Sequence, residues 1–211
     1  MLGHLAGDSV IVSACESTPY GLRTDVRLRD RFWLKGQPYS LQDMLDNDEA
    51  VAEFAGGTVY QAFLSATNYH RWHSPVAGTV LRAWVVDGTY YSEADSVREN
   101  ATESPNSQSY LAHVATRAIV VIAADNPVIG LMAFVAVGMS DVSSCIIDVQ
   151  PGQHVAKGAE LGYFQFGGST HCLVFRPGVI AEVNIQAIPL LGDPKAPLVH
   201  VNSALATATS A

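Results

Sequence analysis

Short runs of apolar residues, broken by glycine, proline, asparagine and aspartate, dominate this chain and predict strands rather than helices. Val10-Ile11-Val12-Ser13 opens the series and leads into the polar turn Ala14 to Pro19. Phe32 to Tyr39 reads as a hairpin with Gly36-Gln37-Pro38 at its tip. Further strands are predicted over Thr58 to Leu64, Gly78 to Val86, Ala115 to Ala123, Val128 to Val137, Cys145 to Val149 and Leu161 to Phe166. Asp87-Gly88 is a hairpin signal feeding Thr89-Tyr90-Tyr91. One segment carries helical spacing: Leu41, Met44, Leu45, Val51 and Ala52, with Ser40 as N-cap, Asp43 in the first turn and Gly56-Gly57 as the stop. The residues around Tyr69 to Pro75 read as a loop, because Pro75 discourages helix.

This pattern predicts a mainly β (α+β) fold of antiparallel sheets with one or two short helices. Pro75 to Gly88 and Val149 to Gly162 share a glycine-punctuated rhythm that resembles barrel-sandwich modules of the lipoyl and biotinyl type. The expected organisation is an N-terminal extension over 1–9, one domain over 10–188, and a C-terminal strand and flexible tail over 189–211. Asn100 to Ser109 reads as an exposed loop, and the Ala/Thr/Ser-rich Ala204 to Ala211 as a frayed end.

Composition narrows the function classes. Charged residues are only 15% and hydrophobic ones 48%, so the chain is built to bury a core. A net charge of −8 without a basic stripe argues against nucleic acid, because neutralising phosphates takes clustered cations. The apolar window Ala118 to Val137 is interrupted by Asp125-Asn126-Pro127 and reads as two buried strands, so membrane association is not expected. Met1 to His4 lacks the charged and apolar regions of a secretory signal. Cys15, Cys145 and Cys172 form neither a disulfide framework nor a zinc pattern, which favours a reducing, cytoplasmic setting.

Two segments carry candidate chemistry. In Phe166-Gly167-Gly168-Ser169-Thr170, glycine before serine allows the backbone to adopt the geometry in which a hydroxyl attacks the preceding carbonyl. Such an attack needs a base, and Tyr69-His70-Arg71-Trp72-His73-Ser74-Pro75 offers two imidazoles. Glu16 can orient one of them, completing an acid-histidine-serine set. From spacing alone, Gly-Gly-Ser-Thr reads first as an ordinary β-bulge or turn. No carboxylate or cysteine stands near His70 and His73, so acid-base work is favoured over metal binding. His4, His113, His154, His171 and His200 have no supporting context and read as surface or locally satisfied.

Taken together, Phe32-Trp33-Leu34-Lys35-Gly36 with Tyr39-Ser40-Leu41, Phe54 with Gly56-Gly57, Tyr69 to Pro75 with Gly78, and Gly162-Tyr163-Phe164 with Gly167-Gly168-Ser169-Thr170 resemble, in order and spacing, the phosphatidylserine decarboxylase family. The likeness covers about Val10 to Val183. Ser13 to Ser17 and Tyr69 to His73 look most like its soluble tryptophan decarboxylase branch. The resemblance implies a zymogen that cuts itself between Gly168 and Ser169, turning Ser169 into a pyruvoyl group. His73 would be the base for that autocatalytic cleavage, Glu16 its orienting acid, and His70 the companion in decarboxylation. The pyruvoyl carbonyl would form a Schiff base with an amino-acid substrate, tryptophan or another aromatic, and drain electrons as CO₂ leaves. The two chains would stay associated, and a homodimer is compatible with the family.

Two departures accompany the likeness. Glu16 stands where the family has an aspartate, one methylene shorter, and Ala115-Thr116-Arg117 keeps an arginine but loses the neighbouring acid. The alternatives are phosphatidylserine as substrate, yielding phosphatidylethanolamine, and an unprocessed non-catalytic homologue. A carrier module would need a lysine such as Lys157 at a hairpin tip, but its flanking residues lack the carrier context.

Overall fold

The computed structural model describes residues 7–29, 40–65, 67–88, 112–138, 144–165, 169–189 and 197–210. The predicted Phe32 to Tyr39 hairpin, the Thr89-Tyr90-Tyr91 strand and the Asn100 to Ser109 loop lie outside the described residues.

β-Branched and aromatic runs form thirteen strands among the described residues: β1 (Val10–Val12), β2 (Thr18–Arg23), β3 (Thr58–Leu64), β4 (Arg71–His73), β5 (Gly78–Val86), β6 (Arg117–Ala124), β7 (Leu131–Gly138), β8 (Ser144–Ile147), β9 (His154–Val155), β10 (Glu160–Gln165), β11 (Ser169–Phe175), β12 (Ile180–Val183) and β13 (Ala204–Ala208). All pair antiparallel, as the mainly β expectation requires. The main sheet has the order β2-β3-β11-β7-β6-β5-β9, with smaller sheets β4-β10-β8 and β1-β13-β12.

The two faces of the main sheet bury different partners. One face, with Val59, Ile119, Val135, Cys172 and Val174, packs on Leu41, Met44, Leu45 and Phe54 of the helical segment. The other, with Tyr60, Leu64, Phe134 and Leu173, packs on Trp72, Leu161 and Phe164 of one small sheet and Ile11 and Leu205 of the other. Strands β6, β7 and β11 are therefore buried on both sides, which is why they read as continuous apolar runs.

Several expectations are corrected. The single helix from Ser40 is two pieces, α1 (Leu41–Met44) and a 3₁₀ segment (Glu49–Phe54). Asp46 and Asn47 between them adopt left-handed backbone angles (φ 54° and 58°), which these residue types tolerate best, and the Asp48 side chain caps the second piece by accepting from Ala50 N. The expected loop around His73 contains strand β4, because Arg71 to His73 pair with β10. Residues 125–130 form a turn, so β7 starts three residues later than expected, at Leu131. The frayed tail proves to hold β13, whose pairing with both β1 and β12 satisfies its backbone.

Two arginines lock the helical layer to the sheet. Buried Arg117 donates to the carbonyls of Met44 (2.9 Å), Asp43 (2.6 Å) and Ala115 (3.1 Å), satisfying the end of α1. Arg82 grips both oxygens of Asp48 at 2.8 Å and reaches Glu49 at 2.7 Å.

Within the small sheet, Gly162 of β10 leaves no room for a side chain: a Cβ would fall 2.1 Å from the Ile146 carbonyl oxygen on β8 and 2.8 Å from the Trp72 ring on β4. Gly162→Ala should therefore destabilise the fold by about 1–3 kcal/mol, as overpacking does. The urea midpoint checks this, and a midpoint equal to wild type would show that Trp72 can yield.

Candidate active site

Ser169 begins β11, facing Leu64 on β3 and Gly138 on β7. It is 1% exposed, and its Oγ is buried without a hydrogen-bond partner. Its neighbour differs: the Thr170 hydroxyl donates to the Ala62 carbonyl at 2.9 Å and accepts from Gln61 Nε2 at 3.2 Å. Of the two adjacent hydroxyls, Ser169 carries the one left available. Gly168, whose carbonyl it would attack, lies outside the described residues.

The two histidines occupy distinct places. The His70 carbonyl accepts from Phe164 N at 3.0 Å, and its ring meets the Phe164 ring edge-on at 6.4 Å. Burial lowers the His70 pKa, while a hydrogen bond with the Ser65 backbone raises it. Ser65 directly follows Leu64, the register partner of Ser169, and Phe164 lies near the end of β10. His70 is thus tied both to Ser65, beside the start of β11, and to Phe164, near the end of β10, and its Nε2 is buried and unpartnered.

His73 sits further along the small sheet, in register with Glu160, at the opposite end of β10 from Gln165. At about 3.3 Å per residue, that places its rung some 16 Å along the strand from Gln165. Its Nδ1 lies 2.8 Å from the Gly158 carbonyl and must donate there, so Nε2 is the acceptor and receives the Tyr69 hydroxyl at 3.1 Å. Glu16 reaches the histidine segment through its backbone, since its carbonyl accepts from Asn68 Nδ2 at 3.3 Å. Its carboxylate, however, bonds His200 Nδ1 at 3.3 Å. The described hydrogen bonds do not join Glu16 to His73, or either histidine to Ser169.

His171 corrects the reading of that residue as surface or locally satisfied. It is wholly buried, and neither ring nitrogen has a partner. Strand alternation, which puts residues i and i+2 on one face, was the available signal that it lies beside Ser169. Burial alone drives its pKa down to about 3.

The serine and His70 fit a self-made prosthetic group: a hydroxyl spared from competing bonds, enclosed away from water, near an imidazole whose neutral form burial favours. Fold and site describe a mainly β domain in which Ser169 and His171 face the layer that holds Trp72 and Phe164, with His70 against Phe164 and with His73 and Glu16 engaged elsewhere. A family model described as phosphatidylserine decarboxylase matches residues 4–192, and the chain belongs to that family.

Among relatives, it is 49% identical over 181 residues to the Decarboxylase iboD of Amanita muscaria, covering 80% of this chain and 52% of that protein. It is 39% identical over 191 residues to the L-tryptophan decarboxylase of Psilocybe cubensis, covering 87% of this chain and 44% of that one. A phosphatidylserine decarboxylase proenzyme of Ruminiclostridium cellulolyticum is 32% identical over 149 residues, covering 70% and 46%. The chain spans about half the length of these curated relatives. No helix among the described residues is long and apolar enough to cross a membrane.

The buried imidazole has a consequence for acid stability. His171 is depressed from 6.5 to about 3 in the folded chain, so the unfolded chain binds the extra proton between those values. Its stabilising contribution is complete above pH 6.5 and declines as pH falls toward 3, at up to about 1.4 kcal/mol per pH unit. His70, shifted the same way, adds to that decline. His171→Phe should flatten the dependence of urea midpoint on pH across this window; a slope as steep as wild type would contradict the assignment.

Proposed function

We propose that the chain cuts itself between Gly168 and Ser169, converts Ser169 into a pyruvoyl group, and decarboxylates an amino acid, tryptophan or another aromatic. The observation that carries this reading is the enclosed, unpartnered Ser169 Oγ at the start of β11. Family membership and the likeness to the Decarboxylase iboD and to an L-tryptophan decarboxylase support it.

In the cleavage, Ser169 Oγ loses its proton to an imidazole and attacks the Gly168 carbonyl carbon. The amide C–N bond breaks as the ester C–O bond forms, and the imidazole returns its proton to the freed nitrogen. Loss of the Ser169 α-proton then expels the Gly168 carboxylate and leaves an enamine, which tautomerises to an imine; water adds to the imine and releases its nitrogen as ammonia, leaving a three-carbon pyruvoyl end at residue 169. When formed, the group supplies an electron sink for the departing carboxylate.

The chain's own residues do the rest. His70, whose pKa burial lowers toward the neutral form, accepts or returns protons at its unpartnered Nε2. The resemblance assigns the cleavage base to His73, whose Nε2 is held in acceptor form by the Nδ1 contact to Gly158. A second reading gives that role to His70, favoured by its ties to Ser65 and Phe164. Cleavage would leave β11, β12 and β13 on the small chain, and β11 is paired on both edges, so the two chains would remain together.

Denaturing electrophoresis and mass spectrometry test the first step, with two chains expected from wild type and one from Ser169→Ala. His73→Ala should stay uncut and His70→Ala should split but release CO₂ at least about a hundredfold more slowly. The reverse outcome would transfer the base role to His70. Glu16→Gln should slow splitting, and unaltered kinetics would remove it from the set. A panel of amino acids and phosphatidylserine, followed by CO₂ release, decides the substrate; turnover of the phospholipid alone would overturn the amino-acid reading.

A further inference from the structure

Beside Ser169, the inner face of the main sheet carries polar atoms that self-cleavage leaves unused. His171 lies across from Ala62 and Ala136, whose small side chains leave its ring room. That ring stacks on Phe134 at 6.1 Å and 27°, and meets Tyr60 edge-on at 6.2 Å. Contacts continue from Phe134 to Trp72 at 5.5 Å, from Trp72 to Phe164 at 5.1 Å and from Phe164 to His70 at 6.4 Å. A run of flat rings therefore lines the junction of the two sheets from Tyr60 to His70. Along it lie the Tyr60 hydroxyl, both His171 nitrogens, Trp72 Nε1, His70 Nε2 and Ser169 Oγ, all buried and unpartnered. Folded proteins rarely leave buried polar atoms unpaired, and a cluster of them marks a place that a ligand or water completes.

We propose that His171, with Tyr60 and Trp72, determines substrate specificity by hydrogen-bonding the heteroaromatic ring of the amino acid decarboxylated at residue 169. The proposal rests on the self-cleaving decarboxylase reading above and names the substrate class of that same site. Flat walls suit a planar side chain. A neutral imidazole presents one donor and one acceptor, indole nitrogen a donor, and tyrosine hydroxyl both, so ring N–H, N or O atoms are matched where a phenyl edge is not. The cluster holds no lysine or arginine, and a phosphate-bearing headgroup would meet no counter-charge there. Ser169 and His171 are closed to solvent in the uncut chain, so the test uses processed protein.

The test uses processed wild type, His171→Leu and His171→Asn, comparing kcat/KM for tryptophan with that for phenylalanine. All three should split into two chains. His171→Leu should lower the tryptophan-over-phenylalanine ratio at least about tenfold, chiefly through KM, and His171→Asn, which keeps a donor and an acceptor, should recover part of it. In ¹⁵N-histidine spectra of processed wild type, tryptamine should move the His171 ring-nitrogen signals and phenethylamine should not. An unchanged ratio in His171→Leu, or spectra that respond to both amines alike or to neither, overturns the proposal. If the variants fail to fold, the wild-type spectra decide alone. A wild-type chain that never splits defeats the decarboxylase reading itself, and this proposal with it; one that splits and turns over amino acids without the selectivity defeats this proposal only.

Discussion

Strand β11 is paired on both edges and buried on both faces, and most of what this molecule can do follows from that confinement. A strand so held cannot twist or slip without breaking two ladders, so the residue at its start has a defined position. That residue is Ser169. Thr170, pointing to the opposite face, is consumed by bonds to Ala62 and Gln61, while Ser169 faces a layer that leaves its hydroxyl unspent. Confinement also separates cutting the chain from unfolding it, because the ladders on either side of β11 do not depend on the 168–169 bond.

The second layer completes the arrangement. Trp72 of the small sheet, backed by Phe164, presses on Phe134 of the large one, and Gly162 leaves the Trp72 ring its room beside β10. Around this packing His70 meets Phe164, and His171 is closed off from water. Burial lowers the pKa of both imidazoles and so favours their neutral forms. On the far face, Arg117 and Arg82 fasten the broken helix to the sheet, a scaffolding task remote from the chemistry.

Much of this was legible in the residues. Alternating and continuous apolar runs marked most of the strands, and the Gly-Ser and His-x-x-His segments marked where to look for chemistry. The helix was misjudged because Asp46-Asn47 admit left-handed angles that interrupt an otherwise helical pattern. A C-terminal strand was expected within 189–211, but Ala204 to Ala208 was read as frayed because a terminal, low-complexity Ala/Thr/Ser run signals little on its own; β13 is held by ladders with β1 and β12, which lie elsewhere in the chain. Glu16 shows the same limit at the site, since its carboxylate finds His200, a residue far along the chain.

Local sequence, then, determined the strand-rich architecture, the serine with glycine before it, and the supply of imidazoles, because period-two patterning and residue chemistry act over a few neighbours. Only the tertiary structure decided which of those groups share an enclosed space. Which face of β11 looks toward Trp72, which histidine meets Phe164, and that His171 lies unpaired beside Ser169 are outcomes of sheet order and layer packing, and those contacts join residues about a hundred positions apart.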